Sequence, residues 1–419
     1  MLFIALLFLL ALGVPIAICI GGSAMAVAIV DDFPPVMLII QRITEGIQSF
    51  PLLALPLFIL AGEIMSYGCT PRILRFANML LGKRNGGIGS VAVANSAFFG
   101  AVCGSAAATT AAVGGLIGPE METQGYPKGY IASLIASSGG IGILIPPSVP
   151  MVVYCIIANV SIGKMFTAGV LPGLLLGILY IIYNRFMAKK HGWSTMEHHQ
   201  YTLKEGLDIA LAAIPPLLMP VFVLGGVLSG LVTATESAVV AVVYSAFLAM
   251  GVYRELSFKG LFCACSKCLT TSGILLFIIA CASPFGWIVS TKGLPAKVAH
   301  VMISLTDNKA LIVILVLVLL VFLGTFMDTG VIILLTTPIL LPIMTSLGYD
   351  PIHYGVILVM TIIIGGTTPP LAVGLYTGCR IMGIELENTI PIVFHFIGIQ
   401  ILCLIILTIF PQISLCLVG

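Results

Sequence analysis

Two Pro-Pro pairs, Pro146-Pro147 and Pro369-Pro370, break apolar stretches that are otherwise long enough to cross a bilayer. Proline lacks an amide hydrogen and disfavours helix for the residue before it. Each pair therefore leaves backbone carbonyls without helical partners and starts a fresh helix N-terminus downstream. At membrane depth, exposed carbonyls are tolerated only around a cavity or a bound ion. Each pair also has a companion upstream. GAVCGSAAATT (100–110) precedes GILIPPS (142–148), and GTFMDTGV (324–331) precedes GGTTPPL (365–371). A break of this kind occurring twice points to a transport site.

The rest of the chain agrees. Apolar residues make up 59% of 419 and charged residues 8%, against about 25% charged in soluble chains. A net charge of +2 gives no reason to expect a nucleic-acid partner. Most of the 11 cysteines lie in apolar runs, as Cys19, Cys155 and Cys403 do, and read as small hydrophobes. Cys263, Cys265 and Cys268 have no neighbouring fourth ligand for zinc. HExxH, GxSxG, Walker and Rossmann patterns are absent. Neither an enzyme nor an organic cofactor is expected, and uphill transport would have to use an ion gradient.

Apolar length places crossings near 1–30, 46–66, 129–160, 165–187, 209–229, 232–253, 268–290, 353–378 and 389–412. Stretches 88–120 and 309–343 are interrupted in the middle and read as re-entrant hairpins. With the N-terminus inside, thirteen of the 18 Lys and Arg residues fall on the cytoplasmic side, as the positive-inside rule requires. The polar stretch 188–206, with His198 and His199, reads as a cytoplasmic connector that could lie on the membrane.

The punctuation also repeats. Pro71 and Pro295, Gly100 and Gly324, and Gly104 and Asp328 are each 224 residues apart. After a one-residue slip, Pro119 and Pro342, and Pro146-Pro147 and Pro369-Pro370, are each 223 apart. Lys83, Arg84 and Lys128 flank the first hairpin, which therefore opens inward. Asp307, Lys309 and Asp350 flank the second, which opens outward. This predicts an inverted repeat with binding where the copies meet.

The first tip offers small residues and hydroxyls at Gly104, Ser105, Ala106 and Thr109. The second adds Asp328, a carboxylate expected at depth, where charge is a functional sign. Thr325, Thr329 and carbonyls of 365–368 would complete a set of hard oxygen ligands suited to Na⁺ or a proton. Asp328 is equally a candidate helix cap. Helix N-termini after the breaks and at the tips offer partial positive charge to an anion. Glu236, three residues after Thr233, reads as a capping box. Glu63 could pair with Arg72, and Arg380 could reach a substrate carboxylate or snorkel to the interface.

FFGAVCGSAAATTAAVGGLIGPEM, GYPKGYIASLIASSGGIGILIPPSVPMVVY, GTFMDTGVIILLTTPILLPI and GGTTPPLAVGLY closely resemble the large, DctM-like membrane subunit of tripartite ATP-independent periplasmic (TRAP) transporters. The resemblance covers nearly the whole chain. It implies an all-α polytopic inner-membrane protein with the ion-transporter-superfamily fold, inverted repeats and two hairpins in an elevator-type mobile domain. It implies sodium-driven uptake of an organic acid such as a dicarboxylate, sialic acid or sugar acid. The implied partners are a separate small four-helix membrane subunit, a periplasmic substrate-binding protein and membrane lipid. Position by position, the first sodium site would use Gly104, Ser105, Ala106, Gly142 and Pro146. The second would use Thr325, Asp328, Thr329, Thr367, Thr368 and Pro369. Substrate would meet Ser105, Thr109, Ser148, Gly330 and Arg380. Thr329 and Gly330 depart from the family's frequent Pro after the tip aspartate. The expected layout is an N-terminal scaffold span (1–45), the first repeat (46–160), scaffold spans with the connector (161–267), the second repeat (268–380) and a C-terminal span (381–419). A self-sufficient sodium/carboxylate symporter or antiporter of the same fold is the alternative; a non-transporting membrane scaffold would have no use for exposed carbonyls.

Overall fold

The computed structural model describes residues 1–31, 34–82, 86–193, 202–298, 308–369 and 372–418. Lys83, Arg84, His198, His199, Asp307 and Pro370, invoked above, lie outside the described residues. The described chain is helical, with no strand. Its helices are α1 (Leu2–Ala11), α2 (Ile16–Val30), α3 (Val36–Glu45), α4 (Ala54–Met65), α5 (Cys69–Leu81), α6 (Gly87–Cys103), α7 (Ala106–Thr123), α8 (Lys128–Gly139), α9 (Val149–Ala158) and α10 (Ile162–His191). They continue as α11 (Leu203–Leu228), α12 (Ala234–Ala246), α13 (Phe258–Thr291), α14 (Lys309–Gly324), α15 (Thr329–Ser346), α16 (Pro351–Thr367), α17 (Val373–Met382), α18 (Ile390–Ile409) and α19 (Gln412–Leu415). After its first residue α14, KALIVILVLVLLVFLG, is apolar all round, as a helix with lipid or protein core on every face must be, and it is a helix because in lipid only intrahelical bonds satisfy the backbone. At 30 and 34 residues, α10 and α13 reach about 45–50 Å at 1.5 Å per residue and outrun a hydrocarbon core of about 30 Å.

The N-terminal 30 residues do not cross once, as their unbroken apolarity suggested. The Phe3 ring packs edge-on against Phe285 at 5.9 Å, while Gly21 abuts Cys281. These contacts lie one turn apart on α13, yet in one straight helix Phe3 and Gly21 would be about 27 Å apart. Residues 1–30 are therefore a helical hairpin. Pro15 stops the first helix from continuing, and Gly13 turns the chain at φ +73°. Met1 returns toward the face where Asp31 pairs with Lys292. Loop charge assigns that face outside, so with the hairpin the same charge argument puts the N-terminus outside rather than inside. The crossing expected at 46–66 is also reshaped, since α3 meets the segment Phe50–Met65 at 55°.

The repeat survives residue by residue. Both α7 and α15 have 18 residues, and they begin 223 apart, at 106 and 329; α8 and α16 begin at 128 and 351. Gly140 lies directly against Ile363, its own equivalent, so a pseudo-twofold axis passes between them. Gly374 faces the carbonyl of Ala136, and Gly378 that of Ala132; α17 thus runs antiparallel along α8. On the other side of the axis Gly355 of α16 packs on Tyr154 of α9. Each helix ahead of a break therefore lies beside the helix that follows the other break. The hairpins exchange in the same way: α7 packs on α17, and α15 on α9.

Around this core, Tyr130, Tyr183 and Tyr180 crowd against Phe396, tying α8, α10 and α18 together. Asn184 of α10, fully buried, accepts from the Tyr130 hydroxyl and donates to the Gly86 carbonyl, anchoring the base of the first hairpin. On the other flank, α4 packs on α12 and α13, and α13 on α2 and α3.

Candidate functional site

The first tip is a two-residue link. Gly104 ends α6 at φ +63°, a conformation that glycine adopts without strain. Ser105 caps α7 by accepting from the Ala108 amide at 3.4 Å. Its carbonyl accepts the Thr109 hydroxyl at 2.7 Å. The tip reaches the first break: a side chain at Gly104 would collide with the Pro147 carbonyl and crowd the Val149 amide. Behind it, Gly100 and Gly142 touch backbone to backbone, and the Thr109 hydroxyl crowds the open side of Gly142. Ser148 caps α9, accepting from the Met151 amide at 3.4 Å and donating to the Ile143 carbonyl at 2.6 Å. Two Ser-capped N-termini, those of α7 and α9, thus start side by side. Gly142, Pro146, Thr109 and Ser148 are buried, and Ser105 and Ala106 half-buried.

The second copy repeats the arrangement with different chemistry. Gly324 presses on Gly365, the equivalent of the Gly100–Gly142 contact, so Thr325 begins the tip beside the second break. Thr325 is buried and donates to the Phe322 carbonyl at 2.7 Å. Asp328 caps α15, its Oδ1 accepting from the Gly330 amide at 3.0 Å. The equivalent of Asp328 is Ser105, since each caps the second arm 223 residues apart. The sequence pairing of Asp328 with Gly104 is thereby corrected: the one-residue slip falls inside the tip. Asp328 is exposed and Thr329 half-buried, while Gly330 is buried beside Leu275.

At the break, the Thr368 hydroxyl donates to the Ile364 carbonyl at 2.6 Å, and Pro369 is half-buried. The Thr367 hydroxyl lies 2.8 Å from Gln400 Oε1, and Gln400 Nε2 donates to the Tyr180 hydroxyl at 2.8 Å. Gln400 and Tyr180 escaped the sequence reading, although a glutamine inside IGIQILCLII is itself a polar residue where lipid would exclude one.

Arg380 is not brought to the tips. It is exposed in the last turn of α17, about 10 Å along the helix from its start. It opens into a cavity of about 720 Å³ with Tyr376, Thr377, Glu385 and Glu387. One expected pairing, Glu63 with Arg72, is replaced by two others. Arg72 pairs with Glu255 at 2.8 Å and stacks 3.8 Å over Tyr253, leaving Glu63 to face Lys267 at 4.0 Å. The Thr233–Glu236 capping box is present as read.

A family model described as the DctM component of the tripartite ATP-independent periplasmic transporters matches residues 3–413. The chain belongs to this family. It is 38% identical to the C4-dicarboxylate TRAP transporter large permease protein DctM of Pseudomonas aeruginosa, over 90% of this chain and 88% of the relative. It is 34% identical to the sialic acid TRAP transporter large permease protein SiaM of Vibrio cholerae, over 98% and 96%. The isethionate TRAP transporter permease protein DctMQ of Oleidesulfovibrio alaskensis is 37% identical over 98% of this chain, which spans 65% of that protein's length. Among solved structures, the YdaH transporter of Alcanivorax borkumensis superposes with a TM-score of 0.61 over 90% of each chain at 13% identity, which shows a shared fold. The DctM-type chain is accordingly a multi-pass inner-membrane transport protein rather than an enzyme.

Proposed function

We propose that this chain is the transport subunit of a tripartite secondary transporter and carries a small organic acid inward with sodium. The observation that supports this most is the duplicated site, in which each hairpin tip presses on its own helix break across glycine contacts. The donors present there are carbonyls, the hydroxyls of Ser105, Thr325, Thr329, Thr367 and Thr368, and the Asp328 carboxylate. Such hard oxygens suit an alkali cation. The neighbouring N-termini of α7 and α9 suit a carboxylate. Relatives are named for C4-dicarboxylates, sialic acid and isethionate, all small organic anions. In this reading a periplasmic binding protein delivers the substrate and a small membrane subunit completes the complex. The hairpins and broken helices then move as a body against α1–α4 and α11–α13, elevator fashion.

The competing reading is a self-sufficient carrier. Proteoliposomes holding this chain alone, with the small subunit, and with both the small subunit and the ligand-loaded binding protein separate the two. Uptake confined to the complete set supports the tripartite reading. Equal uptake by the chain alone, with free substrate outside, replaces it with the symporter or antiporter.

A further inference from the structure

We infer that Gln400 is a positioning residue for sodium: it holds the Thr367 proton so that the Thr367 oxygen keeps its lone pairs for the ion, and Tyr180 holds Gln400. The inference rests on the sodium reading and assigns work to two residues outside the hairpins and breaks.

The geometry carries it. Thr367 is the last residue of α16, where the helix gives way to the second break. Its hydroxyl has one proton and three acceptors in range: the Ile363 carbonyl at 3.2 Å, the Ile364 carbonyl at 3.0 Å and Gln400 Oε1 at 2.8 Å. The Gln400 contact is the shortest. Among the described residues the Thr368 hydroxyl, next in sequence, has the ordinary partner of a helical threonine, the carbonyl four residues back. A cation is served only by an oxygen's lone pairs, so a coordinating hydroxyl must send its proton elsewhere.

Gln400 is built to receive that proton. It is fully buried, as is Tyr180, and Thr367 is 2% exposed. The Gln400 amide donates to the Tyr180 hydroxyl at 2.8 Å, which points the amide oxygen at Thr367. Because Tyr180 lies on α10 and Gln400 on α18, the chain ties the second break to two helices outside the hairpins and broken helices. A buried amide in an apolar span is unfavourable unless bonded. Leucine would pack there at least as well, so packing alone gives no reason for glutamine at 400.

The test is sodium titration of uptake in proteoliposomes containing the chain, its small subunit and the loaded binding protein. Gln400→Leu should raise the sodium concentration for half-maximal uptake about tenfold, with uptake at saturating sodium within about twofold of wild type. Gln400→Glu, which keeps an acceptor oxygen toward Thr367, should restore the half-saturation value to within about twofold. Tyr180→Phe keeps the ring in its aromatic cluster and removes only the hydroxyl, so it serves if the leucine variant does not fold. It should shift half-saturation in the same direction by about threefold, and the Gln400→Leu/Tyr180→Phe pair should be no worse than Gln400→Leu alone, because both act through one chain. An unchanged sodium half-saturation in Gln400→Leu and Tyr180→Phe overturns the inference while leaving sodium coupling standing. Wild-type uptake indifferent to sodium overturns both, and does so before any variant is made.

Discussion

Ser105 and Asp328 show what a repeat leaves free at the level of the single residue. They occupy one structural position, the cap of a hairpin's second arm, and either side chain satisfies the orphan amides there. Capping alone therefore does not require a carboxylate at 328. Replacing a good cap by alanine costs about 1 kcal/mol, too little to remove a membrane protein from the bilayer. Asp328→Ala should then abolish uptake while expression and assembly with the small subunit stay normal, and Asp328→Ser should retain the cap, and hence stability, without restoring uptake. Wild-type uptake by either variant in a transport assay would remove Asp328 from the mechanism. The glycine pairs make the opposite case, a structural demand with no chemistry of its own. A methyl at Gly142 would run into the backbone of Gly100 and the Thr109 hydroxyl, and overpacking of that kind costs about 1–3 kcal/mol. Gly142→Ala should lower the melting temperature of the purified protein by several degrees, whereas Gly115→Ala, with nothing within 4 Å, should leave it unchanged. The sequence marked Gly104, Gly142 and the threonines because glycine, proline and hydroxyls stand out in an apolar background. It could not mark the Thr367–Gln400–Tyr180 chain, whose partners are brought together only by the packing of α10, α16 and α18.

Among the elements, the hairpins and broken helices were legible because each is interrupted by residues that cannot continue a helix. Their opposite orientation followed from loop charge, and the antiparallel run of α17 along α8 agrees with it. The N-terminal hairpin was not legible. Its turn, Leu12-Gly13-Val14-Pro15, is apolar on both sides, and a proline within an apolar stretch reads as readily as a kink in one span. The surroundings of Arg380 were not legible for a related reason: sequence gives distance along a helix from a break but not which cavity the helix end faces. The hairpin makes a topological prediction. A cysteine inserted directly after Met1 and, separately, one replacing Asp31, each in a cysteine-depleted background, should be labelled by a membrane-impermeant maleimide from the same side of oriented vesicles. Labelling from opposite sides would restore the single crossing.

For the whole molecule, the pseudo-twofold between Gly140 and Ile363 sets two helix breaks head to head, each clasped by its own tip and flanked by a helix from the other copy. Such a core has two nearly equivalent faces, which is what alternating exposure of one site requires. The caps of the two second arms differ, a serine in one copy and an aspartate in the other, so in the proposed reading the chemistry of coupling is asymmetric on a symmetric frame. Coupling of an ion gradient to movement of a carboxylate by this frame is tested most directly by uptake against imposed gradients in proteoliposomes containing the complete transporter and its loaded binding protein. An inward sodium gradient should drive accumulation above equilibrium, and its collapse with a sodium ionophore should abolish accumulation. Accumulation that persists with sodium equal on both sides, or replaced by potassium, would contradict the account.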